Sequence, residues 1–161
     1  MMYTKTEGQL ILPGDFFLPF GGKLNKTNRW ITLASLVPWE RIELLYAKSF
    51  KKSLKGEKAL SIRMALGTLI IQERCQLSDR ETVIQISENP YFQYFIGLAD
   101  FQNNEPFHHS LMTHFRKRLT PAVLGQVNEW IAVAAAKEAQ EQDDSKDDDK
   151  TNVSSKGKKD T

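Results

Sequence analysis

Between residues 59 and 77 the chain reads ALSIRMALGTLIIQERCQL. Wound as a helix, its Leu60, Ile62, Met64, Leu66, Leu69, Ile70 and Ile71 cover most of the circumference. A helix that is apolar nearly all round has no face to offer water, so it belongs at the centre of a domain with other elements packed about it. Gly67 in its middle costs about 1 kcal/mol against Ala, which predicts that another backbone approaches closely there. Ser61, Arg63, Gly67 and Thr68 break the apolar run, which is also too short to cross a bilayer.

The segments around this helix are helical as well. TNRWITLASLV at 27–37 places Trp30, Leu33, Ala34 and Val37 at helical spacing, with Thr27 or Asn28 available as N-cap. Pro38 opens a second helix to about residue 50, with Trp39, Ile42, Leu45, Tyr46 and Phe50 on one stripe, Glu40 and Glu43 early and Lys48 late. KKSLKGEK at 51–58 reads as a flexible basic connector. Ser78 or Asp79 supplies an N-cap, Glu81 three residues after Ser78 completing a capping-box pattern, ahead of RETVIQISEN, and Pro90 ends that helix. YFQYFIGL at 91–98 reads as an aromatic turn, and ADFQNNEPFHH as a loop. Ser110 caps LMTHFRKRL, and Thr120-Pro121 opens a last helix whose core face is Val123, Leu124, Val127, Trp130, Ile131 and Ala134. No segment alternates at period two. The expectation is an all-α fold: a compact bundle of about six helices over 27–140, an extended arm at 1–26 and a disordered charged tail at 141–161.

The arm, GQLILPGDFFLPFGGKLNK at 8–26, mixes proline and glycine with apolar residues and resists regular helix. Leu10, Ile11, Leu12, Phe16, Phe17, Leu18 and Phe20 are too many apolar side chains to leave in water, so the arm should pack on the body or on a partner. The tail, EQDDSKDDDKTNVSSKGKKDT, has one apolar residue in 21 and cannot bury enough surface to offset ordering entropy.

The formal net charge is only +2, but residues 1–140 hold 17 Lys and Arg against 13 Asp and Glu, while 141–161 hold 5 against 7. A basic body therefore carries an acidic tail. The densest positive cluster is Lys48, Lys51, Lys52, Lys55, Lys58 and Arg63, opposed by Glu57; a second is Arg116-Lys117-Arg118. Such clusters neutralise phosphates and make binding steeply salt-dependent, although a solvated charged face explains most such runs. A helix-turn-helix fits residues 59–88 poorly, because Glu81 and Glu88 on the outer face of its second helix would repel phosphates; a core hairpin is the better reading.

Catalysis has no visible seat. His108, His109 and His114 lack the spacing and carboxylate or thiolate company of a metal site. Asp143, Asp144, Asp147, Asp148 and Asp149 lie in a run with no rigid scaffold to hold them apart around metal ions. There is no phosphate-binding glycine loop and no nucleophile with a base. Cys75 is the single cysteine, so no intrachain disulfide forms. The N-terminus carries no secretory pattern, and a soluble cytoplasmic protein is expected.

LSDRETVIQISENPYFQYFIGL at 77–98 and PFHHSLMTHFRKRL at 106–119, with LPFGGKLNKTNRWITLASLVPWE at 18–40 and SIRMALGTLIIQER at 61–74, resemble the N-terminal domain of DDE-type insertion-sequence transposases of the InsH kind. The likeness covers about residues 10–135. It departs at His108-His109, where that family has an acidic residue and a proline before the serine. The resemblance implies a nucleoid-associated protein that binds the terminal inverted repeats of its element. A separate RNase H-like domain, reached through a variable linker like 141–161, would cut and join strands with two aspartates, a glutamate and divalent metal. No position here matches those catalytic motifs, so the chain is expected to be a fragment without catalytic residues or cofactor of its own. Its expected role is DNA binding or assembly, with Lys51, Lys52, Lys55, Lys58, Arg63, Arg116, Lys117 and Arg118 on phosphates. The alternative is a homodimerisation module using the arm at 10–20 and the aromatic segment at 91–95.

Overall fold

A computed structural model describes residue 3, residues 11–48 and residues 59–148, and these form seven α-helices with a single 3-10 turn at Pro13–Asp15. The expected central helix is α3 (Ile62–Cys75). Ala65, Leu66 and Ile71 on it are completely buried, and it packs against α2 (Trp39–Lys48), α4 (Asp79–Glu88), α5 (Pro90–Phe95) and α6 (Leu111–Arg118). Ser61 starts it, its Oγ accepting the Met64 N–H at 3.2 Å; Gln76, at φ 53° in the left-handed region, stops it. The close approach predicted at Gly67 comes from α5 and its exit. A Cβ there would lie 3.1 Å from Ile96 Cγ2 and 3.4 Å from Ile96 Cα.

Before α3, Asn28 caps α1 (Arg29–Leu36) by accepting the Trp30 N–H at 2.9 Å. The corner into α2 is held by Trp39, whose indole N–H donates to Ala34 O at 2.9 Å. Trp30 then meets Phe92 and Phe95 edge-on at 4.9 and 5.3 Å between ring centres, so α1 and α5 share one aromatic core.

Helix α5 is the element the sequence reading took for a turn. Pro90 ends α4 and also begins α5: Pro is favoured at the first helical position, and the Asn89 side chain accepts from the Tyr91 and Phe92 N–H groups. Phe92, Tyr94 and Phe95 are buried. Between them Gln93, 1% exposed, donates to Ile86 O at 2.9 Å and Gln102 O at 2.7 Å and accepts the Gln102 N–H at 2.8 Å, tying α4, α5 and the following loop.

Leu10 lies outside the described residues, and the described part of the arm, 11–26, packs on the body, one of the two outcomes its composition allowed. Phe16 is buried beside Tyr94, the Tyr94 hydroxyl donates to Ile11 O, and Phe17 exchanges backbone hydrogen bonds with Ala99 and Phe101 at 3.0 Å. Leu12, Phe17 and Phe20 stay exposed, Phe20 at 96%.

In α7 (Pro121–Asp148), Val127 is buried and Val123, Leu124, Trp130 and Ile131 pack against the core. The helix continues eight residues into the stretch read as a disordered tail, which is a correction to the boundary at 140. Extending an existing helix fixes one residue per new hydrogen bond and avoids the nucleation cost, so a polar run can follow an anchored one. Every side chain from 135 to 145 is exposed. No helix among the described residues is long and apolar enough to cross a membrane.

Candidate nucleic-acid interface

The positive side chains singled out in the sequence fall into three groups. Lys51, Lys52, Lys55 and Lys58 lie outside the described residues. Arg63 does not belong to a surface cluster at all. It is 7% exposed, its Nε donates to Phe95 O at 3.0 Å and its Nη2 to Tyr94 O at 2.9 Å, and its guanidinium lies over the rings of Trp39 and Tyr94. Those two carbonyls close the last turn of α5, where the helix dipole attracts a cation. Burial lowers the Arg63 pKa, with Tyr94 acting the other way. Arg63 is thus an internal tie between α3 and α5, and the expectation that it meets phosphates is withdrawn.

The third group sits in the last turn of α6. Arg116 is committed to Asp79 at the start of α4, Nη1 to Oδ1 and Nη2 to Oδ2, both at 2.8 Å; Asp79 also accepts from Gln72 Nε2 at 2.7 Å. The hydrogen bond from Arg116 holds the Asp79 carboxyl below its usual pKa. Arg118 is half-buried, near enough to Tyr46 to oppose the upward push of burial on that phenol. Lys117 is exposed.

The fold brings together two arginines that sequence reasoning missed. Arg29, at the first position of α1, and Arg74, in the last turn of α3, are both exposed and line one groove of about 470 Å³. Its remaining wall is mostly apolar: Trp30, Leu33, Leu36, Cys75, Ile131 and Ala135, with Thr32. No carboxylate lines it, and neither arginine is paired with one among the described residues. Arg29 follows the spaced Lys23 and Lys26, and Arg74 adjoins Glu73, so neither falls in a run as dense as the two clusters singled out. The signal exists only once α1, α3 and α7 are packed.

The aromatic segment considered for docking is consumed by the core, Tyr91 excepted, which is half-buried and accepts the Asn25 N–H at 3.0 Å. His108 and His109 stack on each other, and His108 Nδ1 pairs with Ser110 Oγ at 2.7 Å, so Ser110 gives no side-chain cap to α6. Among the described residues no group of three or more His, Cys, Asp or Glu is placed to hold a metal ion.

A family model described as Transposase domain (DUF772) matches residues 19–118. The uncharacterized protein ORF8 in the nfe locus of Rhizobium meliloti is 32% identical over 104 residues, which make up 65% of this chain and 49% of that protein. The chain therefore spans about half the length of this curated relative. No solved structure matches it.

Proposed function

Because the chain belongs to the transposase-domain family (DUF772), whose model covers more than half of it, we propose that it serves transposition as a DNA-engaging region that acts on element ends. The observation that carries the reading is that this family match falls on a helical body whose exposed cations include Lys117 and also Arg29 and Arg74, which meet no carboxylate among the described residues. Phosphate contacts from such groups supply affinity without reading sequence, and release counterions as they form. The connector lysines Lys51, Lys52, Lys55 and Lys58 add to them. In this reading strand cutting, with its aspartates, glutamate and divalent metal, belongs to residues outside this region.

Electrophoretic mobility shift on a duplex carrying an element end tests it. The chain is expected to retard the duplex, and replacing the four connector lysines together with Lys117 by glutamine is expected to weaken retardation. Equal retardation by the wild-type and substituted chains would remove these five lysines as phosphate contacts, and no retardation by the wild type would remove the DNA-engaging reading.

A second reading, self-association, is favoured by the exposure of Leu12, Phe17 and Phe20 on the arm. Sedimentation velocity separates the two: a strict monomer at micromolar concentration that still binds DNA leaves the first reading alone.

A further inference from the structure

We propose that the groove between α1, the end of α3 and α7 is a seat for a DNA sugar–phosphate backbone, with Arg29 and Arg74 as its phosphate ligands; this deepens the DNA-engaging reading and rests on it. Three observations converge. First, among the described residues the groove is lined by two exposed guanidiniums and no carboxylate. A cleft of one sign of charge with low-dielectric walls focuses its field, and Leu33, Leu36 and Ile131 supply such walls. Second, Arg29 stands where the dipole of α1 disfavours a cation, and the first turn holds no acidic residue to offset it. Its charge and the helix end add to one another and attract an anion. Third, the chemistry of the wall fits a nucleotide chain: phosphate oxygens accept from the guanidiniums, while deoxyribose presents carbon to the apolar side chains.

Fluorescence anisotropy of a labelled duplex, followed over a salt series with the full chain, provides the test. The wild type is compared with Arg29→Gln, Arg74→Gln, the double variant, and Ala135→Glu, which places a carboxylate in the groove wall at an exposed helical position. Each arginine removed should flatten the log–log salt dependence by about 1, the double variant by about 2, and Ala135→Glu should weaken binding with both arginines intact. Circular dichroism melts confirm that the variants are folded. A double variant that binds with the wild-type affinity and slope overturns the groove while leaving the DNA-engaging reading in place. A wild type without salt-dependent binding overturns both. If polyglutamate competes for the wild type but not the double variant, and DNA binding ignores the substitutions, the groove serves an acidic protein segment and the proposal fails.

Discussion

A single side chain shows how little a linear run of charge says about position. Arg63 stands four residues after Ala59 in the same basic stretch as Lys58, yet its helix is buried nearly all round, and its guanidinium is spent on the last carbonyls of α5. Arg63→Met leaves the Tyr94 and Phe95 carbonyls without that donor, so the chain should lose roughly 1–3 kcal/mol in denaturant unfolding. Its DNA affinity and salt slope should stay unchanged, as those of a phosphate ligand would not. The Asp79–Arg116 pair makes a different prediction. Its partner depresses the Asp79 pKa, so the stability it adds is present at neutral pH and lost as pH falls through the ordinary carboxylate range toward that lowered value. Both side chains are partly exposed, at 31% and 43%, which limits the contribution to about 0.5–1 kcal/mol. Asp79→Asn should therefore lower the melting temperature at pH 7 and flatten its fall between neutral and acid pH; an acid limb identical to wild type would assign that limb to other groups.

At the level of helices, what was legible in the sequence was local and what was missed was not. Asn28 and Ser78 cap as their positions foretold, because a cap is a contact between neighbours in the chain, whereas Ser110, also expected to cap, gives its hydroxyl to His108 instead. The capping box at Ser78 closes only on one side: Ser78 accepts the Glu81 N–H, while the Glu81 carboxylate takes the Gln85 amide. Helix α5 was read as a turn because Pro90 carries two meanings, stop for one helix and start for the next, and only the Asn89 cap and the buried Phe92 and Phe95 decide between them. Arg29 and Arg74 were invisible for the converse reason, since packing alone makes them neighbours of one groove. Gly67 was legible as a close approach, and that contact has a measurable consequence. A side chain there must displace Ile96, so Gly67→Leu should destabilise the chain by about 1–3 kcal/mol through overpacking, read as a lower urea midpoint; a gain in stability would contradict the tight α3–α5 contact.

For the molecule as a whole, charge and packing are segregated. A basic body is built around α3, the buried polar side chains of the described residues all have partners, and Glu141, Asp143 and Asp144 are exposed on the far half of α7. These three carboxylates follow, along α7, the residues Ile131 and Ala135 with which that helix lines the groove. The central claim is that this body meets DNA through phosphate contacts, and the most direct measurement is the slope of log binding constant against log salt concentration between about 50 and about 200 mM. Engagement by Arg29, Arg74 and Lys117 alone predicts a slope near −2.7, and the four connector lysines steepen it toward about −6. A flat line, with affinity indifferent to salt, would contradict the account.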